Sequence, residues 1–409
     1  MSRKILLMAA IPALASFAYW TLRLAWADHL SRKADLQAVV RAVALAAGDA
    51  DIRLRLAARQ QAEGIDPVAA LEAATRLDPR NADAWMRLGL AEEMHGDFRH
   101  AGSHLLDAAR VSRQFAPRWA LTNYYFRRGD EEQFWHWARE SLLMGYGDLN
   151  PIFRLCWNMG QDASMMERIL PERNSVLNAY VQYWMQQAKP ATAEGAAIGL
   201  AAMATPDDQS TLVTWCNRQI DAGSVPATVQ VWNTLCTRHL LPYAPLDRNR
   251  APLTDGDFAA LSTNGGFAWR LPETSGVTSG RNRTTAYLWV AFSGDQPETC
   301  APLVQFIPTA PGATYKVRYE YRTAGLPSVS GLRWTVFDAS TGAGLAVSSW
   351  LAAADWRREE MSFSAPASGM VRLSLTCQRV PGATRLEGSL NLRRLSLNES
   401  QGEYRRTAP

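Results

Sequence analysis

Residues 85–110 read WMRLGLAEEMHGDFRHAGSHLLDAAR, and this stretch decides the architecture of the N-terminal half. Trp85, Leu88 and Gly89 are followed by Gly96, Phe98 and Ala101, then by Leu105 and Ala108. A second Trp, Trp119, stands 34 residues after the first, at the same register. Large and small apolar residues recurring at this period describe stacked helix–turn–helix units. A single unit cannot bury its apolar face, so neighbours stack into a continuous core and leave a curved surface for binding.

The period extends outward on both sides. Upstream, Leu77-Asp78-Pro79 closes one unit and Asn81 to Trp85 opens the next. Pro79 has no N–H for a helix interior and suits the break. Residues 52–64 and 67–74 supply the preceding helix pair, with Ala70 and Ala74 small enough for close approach. Downstream, residues 119–126 form a first helix, Gly129-Asp130 a turn, and residues 134–143 a return helix whose register is one residue out.

At these residues the chain resembles the tetratricopeptide repeat (TPR) family. Trp85, Leu88, Gly89, Gly96, Phe98, Ala101, Leu105 and Ala108 fit its pattern in one repeat, and Leu56, Ala70, Leu71, Ala74 and Pro79 in the one before. The third departs from it, with Asn123 where Gly is usual. The clear repeats cover about residues 45–145. The resemblance implies a groove lined by the first helix of each repeat. Its positions here are Met86, Leu90, Glu93 and Met94, then Tyr124, Arg127 and Arg128. A mixed apolar and basic groove suits an extended acidic peptide or a partner helix.

From 150 to 241 the spacing stays helical without the repeat signature, as in residues 212–220 and 227–235. The expected solenoid therefore spans 28–241. Residues 242–252 carry Pro242, Pro245 and Pro252 and no period, which reads as a linker with few contacts. Beyond it the period becomes two. Tyr315, Val317, Tyr319 and Tyr321 alternate with charged residues, and Val371, Leu373, Leu375 and Cys377 alternate with Arg372, Ser374, Thr376 and Gln378. About nine such runs over 253–397 predict an antiparallel β-sandwich or jelly roll able to fold alone. The polar tail, 398–409, is expected to be disordered. Fold class is thus multidomain: an N-terminal helix, an α-solenoid and a β-sandwich.

Leu253 to Phe258 followed by Gly266-Phe267-Ala268-Trp269, with Pro311-Gly312 before Tyr315 and Leu390-x-Leu392 near the end, resembles the carbohydrate-binding modules of families 4 and 9. The resemblance implies a sandwich that contacts glycan. Tyr315, Tyr319, Tyr321 and Trp334 share parity with core positions. Trp289, Trp350 and Trp356 are the candidate stacking platforms.

At the N-terminus, Arg3 and Lys4 precede 18 residues without a charge, Ile5 to Leu22. That length just spans a bilayer, and basic residues before it favour an exported body. Residues 1–27 are therefore expected to be a single-pass anchor in the inner membrane with an extracytoplasmic body. The alternative is a signal peptide cut after Ala25-Trp26-Ala27.

The 409 residues carry a net charge of only +4, and no block of basic residues marks a nucleic-acid surface. Five cysteines form no metal-ligand spacing, and Cys300 and Cys377 are the one candidate disulfide pair. His100 and His104 lie four apart, but no third ligand is evident, so no metal is expected. No nucleophile elbow, phosphate-binding loop or dinucleotide fingerprint is present. Glu359 and Glu360, adjacent on a strand, point to opposite faces and cannot converge on one bond. No cofactor or catalytic residue is assigned. The sequence reads as a non-enzymatic interaction protein with a protein partner for the groove and a glycan for the sandwich, suited to envelope or exopolysaccharide assembly. The alternative is a glycan-active enzyme or an accessory subunit of one.

Overall fold

The computed structural model describes residues 3–247, 252–260, 265–282, 287–382 and 385–400, with the side chains of 3–9 left aside. The chain divides into two compact units, Met1–Pro171 and Glu172–Pro409.

The first unit is helical. Helices α1 (Arg3–Ser31), α2 (Leu36–Leu45), α3 (Ala50–Ala62), α4 (Val68–Leu77) and α5 (Ala82–Met94) are followed by α6 (Phe98–Val111), α7 (Phe115–Arg128), α8 (Glu131–Met144), α9 (Asn150–Gly160) and α10 (Ala163–Arg168). Each packs on the next in chain order. Carboxylate or amide side chains start many of them. Asp35, Asp49, Asn81, Asp97 and Asp130 each accept a backbone N–H of the first turn, satisfying donors that have no intrahelical partner. Gly89 in α5 is buried because α6 crosses it closely: a Cβ there would stand 2.8 Å from Ala101 O and from Leu105 Cγ. Ala101, Leu105 and Ala108 are fully buried beneath it.

The expected single-pass anchor is overturned. Among the described residues no helix is long and apolar enough to cross a membrane. The side chains of residues 1–9, the start of the expected anchor, lie outside the described residues, and the apolar run that is described, residues 10–22, ends at Arg23 well short of the roughly 20 residues a bilayer needs. The helix then continues as part of the helical stack. Arg23 Nε donates to Leu45 O at 2.9 Å, and Ala27 and Leu30 are buried with Ala38, Ala42, Ala46 and Ile52. An inner-membrane, extracytoplasmic placement has no support without that span.

The second unit joins helices to the sandwich. Helices α11 (Asn174–Gln186), α12 (Glu194–Met203), α13 (Gln209–Asp221) and α14 (Pro226–Thr237) precede, among the described residues, nine strands. Strands β1 (Val277–Asn282), β2 (Tyr287–Ser293), β9 (Glu387–Glu399), β4 (Thr314–Ala324) and β7 (Arg357–Ser364) form a five-stranded sheet in that order. Strands β3 (Thr299–Pro308), β8 (Met370–Gln378), β5 (Leu332–Asp338) and β6 (Gly344–Val347) form a four-stranded sheet. All pairs are antiparallel. The inner faces meet in one core that includes Tyr315, Val317, Tyr319, Tyr321, Trp334, Leu373 and Leu375. The period of two places alternate residues outward.

The helices hold the sandwich through its opening segment. Asn217 Oδ1 on α13 accepts from Gly266 N at 2.6 Å and from Arg270 Nη2 at 2.9 Å. Trp232 on α14 meets Phe267 edge to face at 5.8 Å and stacks on Tyr243 at 5.8 Å. The proline-rich stretch is packed where it is described: Leu241, Tyr243 and Leu246 are buried, and Leu246 exchanges two hydrogen bonds with Asn233. A segment with three prolines reads as a linker only while its side chains lack a docking surface, and α14 provides one. Strand β9 runs through Glu399, into the expected tail; residues 401–409 of that tail lie outside the described residues.

Candidate functional site

The outward face of the five-stranded sheet carries a constellation of aromatic and charged side chains. On β2, Leu288, Val290 and Phe292 point into the core, so Tyr287, Trp289 and Ala291 point out. The register aligns Gly280 of β1, Trp289 of β2, Asn391 of β9 and Arg322 of β4 in one row. Gly280 leaves room for the indole: a Cβ there would stand 2.6 Å from Trp289 Cζ2 and 3.1 Å from Nε1. The ring therefore lies across β1, half-buried.

One row further, Glu320 of β4 faces Arg393 of β9 and Arg358 of β7. Arg358 donates to Glu320 Oε1 through Nη2 at 2.6 Å and Nε at 3.1 Å. Arg393 Nε donates to Oε2 at 2.8 Å, and Arg394 Nη1 reaches both oxygens at 3.3 and 3.4 Å. Two consecutive arginines reach one carboxylate because β9 is bulged here. The register with β4 shifts between Arg318 and Glu320, and Arg394 adopts the left-handed region with φ 49°. The Leu395 N–H, freed from the ladder, donates to Gly256 O at 2.9 Å. These guanidiniums hold the Glu320 carboxyl down at about 2; Arg358 is the largest cause, opposed by burial and reinforced by Arg393 and Arg394.

Of the three expected platforms, the sheet brings two to this face. Trp356, before β7, is engaged by its own chain: Arg393 Cζ lies 3.9 Å and Arg322 Cζ 5.1 Å from its ring centre, and Tyr287 meets it edge to face at 5.9 Å. Trp350 lies by the other sheet, under Arg333 of β5 at 4.7 Å. Trp289 has no cation over its ring among the described residues. The arginine cluster was not assigned from sequence, although two signals point to it. Strand β4 alternates Lys316, Arg318, Glu320 and Arg322 outward, and Arg393-Arg394 interrupts the alternation of β9.

Adjacent Glu359 and Glu360 do diverge. Glu359 accepts from the hydroxyls of Tyr319 and Tyr321 at 3.3 and 3.2 Å, while Glu360 pairs outward with Lys316 and Arg318. Cys300 and Cys377 sit directly opposite each other across β3 and β8, as free thiols. His100 and His104 each engage one carboxylate, Asp97 and Glu92, both at 2.7 Å.

In the helical unit the expected groove residues separate. Tyr124 is buried, its hydroxyl donating to Phe98 O at 2.7 Å and its ring packed on Gly102. Met86 and Leu90 pack against the same cluster. Arg127 forms a two-pronged pair with Glu93 at 2.8 and 2.6 Å. Arg128 Cζ sits 4.0 Å over Phe98. Leu90, Met94, Phe98 and Arg128 border a cavity of about 580 Å³.

No protein-family model matches the chain, and no curated protein matches it. Solved structures similar to part of the chain include a CBM4 domain, with 11% identity, 38% of this chain and 92% of that chain covered, and a TM-score of 0.26. A CBM61 domain in complex with β-1,4-galactotriose shares 14% identity over 37% of this chain and all of that one, at a TM-score of 0.26. A CBM6 module from Cellvibrio mixtus lichenase 5A, in complex with cellotriose, shares 11% identity over 33% of this chain and 98% of that one, at 0.23. The likenesses are slight, and the ligands named are those modules' own.

Proposed function

We propose that the sandwich binds glycan on the outward face of its five-stranded sheet, without catalysing its turnover. The observation that carries this is the row Gly280, Trp289, Asn391 and Arg322. A broad indole lies across a strand with no side chain beneath it, beside an amide and a guanidinium. Aromatic faces suit the apolar face of a sugar ring, and the polar neighbours suit its hydroxyls. The non-catalytic reading is supported by Glu359 and Glu360, which are occupied on opposite faces of β7. A glycan array with the full chain tests it. Retention of oligosaccharides that is lost in Trp289→Ala supports the reading; no retention, or release of shortened products, overturns it.

We read the helical unit as tetratricopeptide-type hairpins that dock a protein. The support is the cavity beside Met94 and Phe98, which are 78% and 40% exposed, with Arg128 stacked on the latter. Crosslinking followed by mass spectrometry tests this. A partner captured by the full chain and lost in the double change Arg127→Glu, Arg128→Glu supports it. Unchanged capture excludes this surface.

A further inference from the structure

We propose that the glycan is acidic, its anionic groups sitting against the arginines at the β9 bulge; this rests on the glycan-binding reading above. The bulge borders an open cavity of about 480 Å³ whose walls include Arg318, Glu320, Arg358 and Arg394. Around it the outward face carries six cations, Lys316, Arg318, Arg322, Arg358, Arg393 and Arg394. The carboxylates beside them are Glu320, Glu360 and Asp257.

The excess is more than the fold requires. One guanidinium satisfies a carboxylate through two parallel bonds. Glu320 receives three, and each guanidinium has five N–H donors, most of them unspent on it. The side chains of Arg358 and Arg394 are 70% and 62% exposed, so those donors face solvent while Glu320, at 9%, fixes their positions from below. Arg322 and Arg393 are likewise held, by stacking on Trp356, and beyond the Nε of Arg393 spent on Glu320 this stacking leaves guanidinium edges to donate. This is a preorganised set of charge-assisted donors, and a planar sugar carboxylate matches their fork geometry.

The position fits a chain of sugars. Glu320 lies two residues along the strands from the Trp289 row, about 7 Å, and two strands across the sheet from Trp289, about 10 Å, so it stands more than one sugar away, with Arg318 two residues further along β4. A saccharide stacked on Trp289 would extend its neighbours over the arginines.

The test is titration calorimetry of the full chain with oligogalacturonate, a neutral β-glucan oligomer and a sulfated oligosaccharide. Arg318→Gln and Arg394→Gln are the variants. Arg318 is half exposed and leaves Glu360 its Lys316 partner, so that change spares the fold; thermal melting checks the other. The expected result is preferential binding of oligogalacturonate, weakened about tenfold by either change, and weakened by salt. Equal preference for the sulfated oligomer with the same losses supports an anionic glycan and assigns charge, not carboxylate shape, as the determinant. Equal binding of the neutral oligomer, lost in Trp289→Ala and indifferent to both arginine changes, overturns the acidic ligand while leaving glycan binding in place. Binding of none of the three overturns both.

Discussion

Asn217 of α13 holds Gly266 of the sandwich's opening segment by a 2.6 Å bond to its N–H, and Gly266 lies against the Trp232 ring with φ 57°. A side chain at 266 would meet that ring and strain the backbone. Gly266→Ala is therefore expected to destabilise the second unit by about 2–3 kcal/mol. Asn217→Ala, which strips the acceptor from two donors, is expected to cost about 1–2 kcal/mol. Urea denaturation followed by circular dichroism measures both. Neutral effects would mean that the helices and the sandwich are not thermodynamically coupled through this contact.

Gly89 makes the corresponding prediction for the helical unit. Its missing Cβ lets α5 and α6 approach, so Gly89→Ala forces Leu105 and the α6 backbone aside. The expected loss is about 1–3 kcal/mol, despite the better helix propensity of Ala. A rise in melting temperature would show that the two helices have slack the packing does not suggest.

Both glycines were legible in part. Gly89 stood in the repeat pattern, whose period marks positions where two helices must touch. Gly266 belonged to the opening motif, but its partners Asn217 and Trp232 lie in helices without a repeat signature, and nothing local in sequence joins them. Strand parity placed Tyr315, Tyr319, Tyr321 and Trp334 in the core, because one buried face imposes a period of two. Parity could not separate Trp289 from Trp356, since that depends on which arginines cross from neighbouring strands. The N-terminal run was read as an anchor because its spacing alone does not show that the same helix continues past Arg23, which donates to Leu45 O, to pack at Ala27 and Leu30.

Glu320 predicts a pH dependence. Its folded carboxyl is held at about 2 against an ordinary 4.5, so its contribution is fully present above about pH 4.5 and is lost as pH falls toward 2. Glu320→Gln is expected to flatten that part of the stability profile. Denaturant midpoints at closely spaced pH values between these limits, for both proteins, measure it; parallel profiles would show that the arginines do not depress this group.

The thiols divide by environment. Burial pushes Cys156 and Cys236 up to about 12 and raises Cys216 further, whereas the Cys377 S–H donating to Cys300 lowers the latter. Iodoacetamide on the native chain at mildly alkaline pH is expected to modify Cys300 first, as read by peptide mass spectrometry. Early modification of Cys156 or Cys216 would contradict the packing around them.

Calorimetric titration of a retained oligosaccharide into Trp289→Ala and Trp350→Ala chains tests the binding face most directly, because the two tryptophans lie by opposite sheets. The account predicts a loss of tenfold or more, about 1.4 kcal/mol, for Trp289→Ala and none for Trp350→Ala. Full affinity in Trp289→Ala, with the loss appearing in Trp350→Ala instead, would contradict it.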